Sequence, residues 1–229
     1  WVLFTIAVIL RLSIYFFYAP VSYSDSRTYL RLASQILRGW IYYDGSRTPG
    51  YPAFLAVLRS EQNAWLAQLG MGVVITLLMY FIGWQLGAGL GRGKRQKLAF
   101  LVGLAHTLNL GQLFFESSLL SETLATFWIV LSVVGLVYSY STPKARTVWL
   151  AGLMGLFSAL AILTRGLFIL LPFWALLVIW LDWAEKPTSG LQLTGKNLDY
   201  SWRMAVNRLH HIYPVLLAFI VPFSLLIGL

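Results

Sequence analysis

Apolar stretches of near-spanning length follow one another along the chain, at about 1–18, 64–87, 98–115, 118–139, 147–163, 166–181 and 212–229. A helix needs roughly 20 residues to cross the hydrocarbon core of a bilayer. Inside that core every backbone polar group must be satisfied within the segment, which favours helices. The pattern predicts an all-α, polytopic membrane protein of about seven transmembrane helices, with residues 1–229 as a single transmembrane module. Composition agrees, since 59% of residues are hydrophobic and only 11% charged, less than half the charge of an ordinary soluble domain. The chain starts at Trp1 rather than Met and stops at Leu229 within an apolar run, so it is expected to belong to a longer protein. No small-residue cleavage site follows the first stretch, which is therefore not read as a signal peptide.

The absence of cysteine excludes disulfides, a thiolate nucleophile and cysteine-bound metal. The formal charge of +9 would suggest nucleic acid in a soluble protein. Here it points instead to loops that face anionic membrane lipids, and no nucleic-acid partner is expected. Orientation follows from the short basic loop Gly91-Arg92-Gly93-Lys94-Arg95-Gln96-Lys97, which belongs on the cytoplasmic side. Alternation then places 141–146 and 182–211 inside. It places three regions outside: the first loop, 19–63, the turn from Glu116 to Glu122, and the hairpin Thr164-Arg165-Gly166. The first loop is basic although outside, with Arg27, Arg31, Arg38, Arg47 and Arg59, which suggests that its arginines serve a purpose.

That loop has internal order. Ser24-Asp25-Ser26 offers capping side chains. Tyr29, Leu32, Ala33, Ile36, Leu37 and Trp40 then recur at helical spacing up to a stop at Gly39. This predicts an amphipathic helix lying in the membrane interface, apolar face down and basic face toward water or phosphate. Pro49-Gly50-Tyr51-Pro52 predicts a rigid turn and a second short helix over 51–58.

Several residues in these outer regions could carry chemistry. Asp25 stands between the first span and the interfacial helix, where a carboxylate beside arginines can act as a general base or simply cap the helix. Glu122 opens the fourth span and is either a functional acid or an anchor of the helix end. Glu116, nearer the turn, is expected to be solvated. Arg47, before the Pro-Gly-Tyr-Pro turn, and Arg165, at the hairpin apex, suit a phosphate, with snorkelling to headgroups as the competing account. His106, Asn109 and Gln112 are expected to share one face of the third span and to hydrogen-bond to neighbouring helices. The histidines show no metal-site spacing.

The combination of Asp25-Ser26-Arg27-Thr28-Tyr29, a helix ending at Gly39, Arg47-Thr48-Pro49-Gly50-Tyr51-Pro52, Ser121-Glu122 and Leu163-Thr164-Arg165 resembles the GT-C glycosyltransferases. The branch it is most similar to holds the protein O-mannosyltransferases and the lipid A aminoarabinose transferases. The resemblance implies an N-terminal module of seven spans and a sugar donor linked to polyprenyl or dolichyl phosphate. It implies a site on the extracytoplasmic side, in bacteria that of the plasma (inner) membrane. By this resemblance Asp25 is the catalytic base, and Arg47, with Arg165 and Arg27, binds the donor phosphate. Glu122 and Tyr29 would lie close to substrate or to a divalent metal. The acceptor, whether protein, lipid or glycan, is open. Two departures stand out. Many members carry a second acid directly after the Asp, where this chain has Ser26. The C-terminal part that completes the pockets is absent, so residues 1–229 alone are expected to be inactive.

The residues support such chemistry independently of the family: a phosphate leaving group needs cations rather than an acid, and an acceptor hydroxyl needs a base. The rival is a transporter or lipid flippase in which Glu122, His106 and Arg165 line a pathway. It would place ionisable groups in broken helices near the midplane, whereas the acids of this chain cluster toward one edge. Topology is directly testable because the chain has no native cysteine. Cysteines introduced at Ser46 and Gly190 should react with a membrane-impermeant reagent from opposite faces. Reaction from one face would defeat the assigned orientation.

Overall fold

The computed structural model describes residues 1–139, 144–174 and 177. Among them the fold is all-helical, and the only extended pairing is an isolated parallel bridge between Val21 and Ser118. The helices are α1 (Val2–Phe17), α2 (Ser24–Arg38), α3 (Gly50–Leu58), α4 (Glu61–Leu86), α5 (Arg92–Thr107), α6 (Leu110–Ser117), α7 (Glu122–Ser139) and α8 (Lys144–Thr164). Short 3-10 turns cover Trp40–Tyr42 and Gly166–Leu170.

Local sequence explains most boundaries. The Ser60 hydroxyl accepts the Asn63 N–H at 3.0 Å and starts α4. Between α3 and α4, Arg59 adopts a left-handed conformation at φ 62°, and the Asn63 amide donates to the Leu58 carbonyl at 3.0 Å. Gly39, at φ 134°, ends α2 as its sequence predicts. The start of α2 differs from expectation. Tyr23 is the N-cap residue, and the Ser26 hydroxyl accepts the Tyr23 N–H at 2.9 Å. Ser24 and Asp25 lie in the first turn, so the Asp25 carboxylate is not the cap.

α4 is apolar around its whole circumference, as a central helix should be. It packs against α1, α3, α5, α6 and α7, while α7 and α8 form an antiparallel pair. The predicted third span, 98–115, is not continuous. It breaks at Leu108-Asn109 into α5 and α6, which are bent by 49°. Asn109 causes the restart, because its side chain leaves the α5 register and accepts the Gln112 N–H at 3.2 Å as the cap of α6. His106, Asn109 and Gln112 therefore do not share one helix face. His106 Nδ1 instead meets the Thr76 hydroxyl at 3.1 Å, and Thr76 meets Thr107 at 2.8 Å.

Among the described residues one helix, Glu61–Leu86, is by itself long and apolar enough to cross a membrane, and the bent pair α5–α6 passes the same test if taken together. Val2–Phe17, Glu122–Tyr138 and Trp149–Thr164 are shorter apolar helices. The predicted sixth segment, 166–181, begins with the 3-10 turn Gly166–Leu170. The predicted seventh segment, 212–229, and the loop 182–211 lie outside the described residues. The apolar side of α2 also behaves differently from the expectation of a free interfacial face. Tyr29, Leu32 and Ala33 are buried, and Tyr29 and Ala33 join a core with Tyr51, Leu55, Leu119 and Leu124. Leu37 and Trp40 remain exposed.

Candidate functional site: paired carboxylates and arginines at one end of the bundle

The three regions assigned outside meet in space. Val21 donates to Ser117 at 2.9 Å and accepts from Leu119 at 3.0 Å, tying the start of the first loop to the α6–α7 connection. The Thr48 hydroxyl donates to the Thr164 carbonyl at 2.9 Å. Gly50 lies so close to the end of α8 that a Cβ on it would sit 2.7 Å from the backbone of Leu163 and Thr164. Only glycine permits that approach, and it brings the Arg47 turn against the Arg165 hairpin.

Two ion pairs stand at this junction. Arg47 Nη2 lies 2.8 Å from Asp25 Oδ1, with both side chains about half exposed. Arg165 Nη1 lies 2.6 Å from Glu122 Oε1. Each of the two acids proposed from sequence is thus matched to one of the arginines proposed from sequence. Asp44 is a separate case: it accepts the Ser46 N–H at 2.9 Å and pairs with Arg31 at 3.1 Å. The Ser46 hydrogen bonds, with Gln35 and Arg31, hold its carboxyl below the usual carboxylate range. The neighbouring Tyr43 hydroxyl donates to the Arg47 carbonyl and steadies the turn. Partial burial, followed by the Asp44 charge, raises the pKa of Tyr43, so it stays a neutral donor. Arg27 is exposed and makes no ion pair among the described residues.

Tyr29 is buried in the core, with its ring edge-on to Tyr51 at 5.0 Å and its hydroxyl 3.4 Å from Ser121 Oγ. It approaches the site through its oxygen alone, one residue from Glu122. Glu122 and Arg165 line a cleft of about 260 Å³ with Asn109, Gln112, Phe115 and Phe168. Among the described residues no three His, Asp or Glu side chains converge in a way that could hold a metal ion.

Beneath this layer lies a pair that the sequence reading missed on one side and misjudged on the other. Glu116 is completely buried rather than solvated, and Arg11 of α1 is 3% exposed. Arg11 Nε and Nη2 donate to the two carboxylate oxygens at 2.9 and 2.8 Å, a bidentate fork. The carboxylate fills the space over Gly72 of α4, where a Cβ would sit 2.3 Å from it. Gln68, one turn earlier on α4, donates to the Ser118 carbonyl at 2.7 Å and accepts from the Tyr51 hydroxyl at 2.7 Å. Arg11, Gly72 and Gln68 together fix the 116–121 connection that presents Ser121 and Glu122. A lone arginine within an apolar stretch was the available signal, since an ionisable group at that depth demands a partner.

No protein-family model, no curated protein and no solved structure matches this chain.

Removing one member of a buried pair leaves the other charge uncompensated, at a cost of about 3–5 kcal/mol, whereas replacing both by apolar groups is often nearly neutral. Glu116→Ala should lower the thermal midpoint of the purified protein substantially. Arg11→Met combined with Glu116→Met should recover most of the loss. A single variant as stable as the parent would mean that water already reaches the pair.

Proposed function

We propose that the chain is the transmembrane module of a multi-pass membrane glycosyltransferase of the GT-C kind, with about seven spans. In this reading it takes a sugar from a polyprenyl- or dolichyl-phosphate donor and delivers it to an acceptor hydroxyl on the extracytoplasmic face. The observation that carries the reading is the junction of three distant segments, which sets Asp25 against Arg47 and Glu122 against Arg165. A base and phosphate-binding cations are what a transfer from a sugar phosphate requires. Apolar helices lead away from the junction, so a donor with a long lipid tail can stay in the bilayer while its phosphate reaches the arginines.

The proposed reaction is one displacement. Asp25 accepts the proton of the acceptor hydroxyl. The hydroxyl oxygen forms a bond to the anomeric carbon while the bond from that carbon to the phosphate oxygen breaks. The anomeric centre inverts, and the lipid phosphate leaves as an anion held by arginine. The resting pairs suit this order of events. An exposed ion pair contributes at most about 1 kcal/mol, so a donor phosphate can draw Arg47 away from Asp25. Binding the donor thereby frees the carboxylate for the acceptor. Arg165, against Glu122 in the cleft, is the second cation available to the phosphate.

A second reading, a transporter or lipid flippase, gains one observation: the buried Arg11–Glu116 pair lies beside the 49° break between α5 and α6. That pair, however, is closed by two-point contact and packed over Gly72. It is suited to holding a fixed geometry, and transport would require it to open.

Two variants of the full-length protein test the enzyme reading. Asp25→Asn keeps the shape of the side chain and removes the proton acceptor. Turnover of a lipid-phosphate sugar should fall roughly 100-fold or more, with donor binding retained. Near-normal turnover would remove Asp25 from the mechanism. Arg47→Ala should weaken donor binding by about 1.5–3 kcal/mol, roughly tenfold or more. Unchanged affinity would place the phosphate elsewhere.

A further inference from the structure

At the start of α5, far along the bundle from the paired site, a groove of about 810 Å³ runs between α1 and α5 over α4. This is within the roughly 300–1,000 Å³ range of ligand pockets. Val2, Phe4, Leu77, Phe100 and Leu101 form its walls, and Gln96 and Lys97 form its polar end. Four of the five wall residues are exposed rather than packed: Val2, Phe4, Leu77 and Leu101.

Among the described residues the charge at this end is unbalanced. Arg92, Lys94 and Lys97 are exposed and have no carboxylate within ion-pairing distance among the described residues. Arg95 behaves differently, because its guanidinium donates to the Trp84 carbonyl at 2.6 Å and lies 4.2 Å over the Trp84 ring. Three unpaired cations on the first turns of a helix also oppose the helix dipole. An anion would relieve both conditions.

We infer that this groove is a binding site for an anionic glycerophospholipid, with an acyl chain along the apolar walls and the headgroup phosphate on Lys97 beside Lys94 and Arg92. The inference rests on the membrane reading above and concerns a site apart from the proposed donor site. Charge complementarity and the amphipathic layout select the occupant. A free phosphate would satisfy the cations and leave the walls wet, and a neutral lipid would fill the walls and leave the cations bare. Basic pockets between helices on the cytoplasmic side are suited to anionic headgroups.

The test is native mass spectrometry of the full-length protein, recovered from the membrane fraction in mild detergent. The protein is incubated with phosphatidylglycerol or phosphatidylcholine of the same chain length. We expect at least fivefold greater retention of phosphatidylglycerol. Lys94→Gln with Lys97→Gln should abolish the preference. Leu101→Trp, which narrows the groove and keeps every charge, should reduce retention of the lipid. Asp25→Asn should leave it unchanged, which separates this site from the proposed catalytic one. Equal retention of the two lipids overturns the inference. So does undiminished binding by the lysine variant, whose two positions are exposed, or displacement of the lipid by excess inorganic phosphate. Absence of the protein from the membrane fraction would instead defeat the membrane reading itself.

Discussion

Glu116 and Arg11 bring opposite full charges into the interior of the bundle, and the packing around them follows from that choice. Desolvating two such groups costs several kcal/mol each, and only close, bidentate contact offsets it. The contact needs α1 and α6 at fixed positions. It needs a residue without a side chain at position 72 of α4, because the carboxylate occupies that space. It also needs the chain after Glu116 to turn outward at once, since the Glu116 side chain is held inside. Gln68 and Val21 take up the backbone groups exposed by that turn, at Ser117, Ser118 and Leu119. Ser121 and Glu122 are then delivered to the site with little freedom.

The outer pairs have the opposite character. Asp25–Arg47 and Asp44–Arg31 lie at exposed positions, and Glu122–Arg165 is only partly buried. Water and salt screen such contacts, so they hold side chains without committing them. The molecule thus has a rigid ionic layer beneath an exchangeable one. A phosphate can compete for the exchangeable layer but not for the buried fork, whose two oxygens are already matched to two N–H groups. The residues suited to chemistry sit on turns or at the first turns of helices, while the residue that positions them sits on a central helix interface.

Periodicity and punctuation made much of the fold legible. The range of α2 and its end at Gly39 followed from apolar spacing and a glycine, and the turn before α3 followed from Pro49-Gly50. The acids and arginines of the outer site were also legible as residue types in the same predicted loops. Their pairing was not, because a contact between Glu122 and Arg165 depends on how α7 and α8 pack. The break at Asn109 was hidden by composition: 98–115 reads as one apolar run, and a single side chain that caps better than it propagates divides it. Glu116 was misjudged for a related reason. Its nearness in sequence to the turn suggested solvent, but burial is set by the direction of its side chain and by Arg11, 105 residues away.

The two ends of the bundle differ in how they treat positive charge. At the end that carries the proposed site, Arg11, Arg31, Arg47 and Arg165 each face a carboxylate, while Arg27, Arg38 and Arg59 face none among the described residues. Of the acids among the described residues, only Glu61, at the first turn of α4, lacks such a partner. At the start of α5 the charge among the described residues is all of one sign, and Arg95 contacts the Trp84 carbonyl and indole ring. Compensated arginines suit a place where a bound anion must be admitted in competition with a resident carboxylate, and where that exchange can free a base. Uncompensated lysines suit a place where the anion is always at hand, as it is at the surface of an anionic leaflet. On the two proposals above, the same residue types would serve two purposes, separated by the length of the helices that join them.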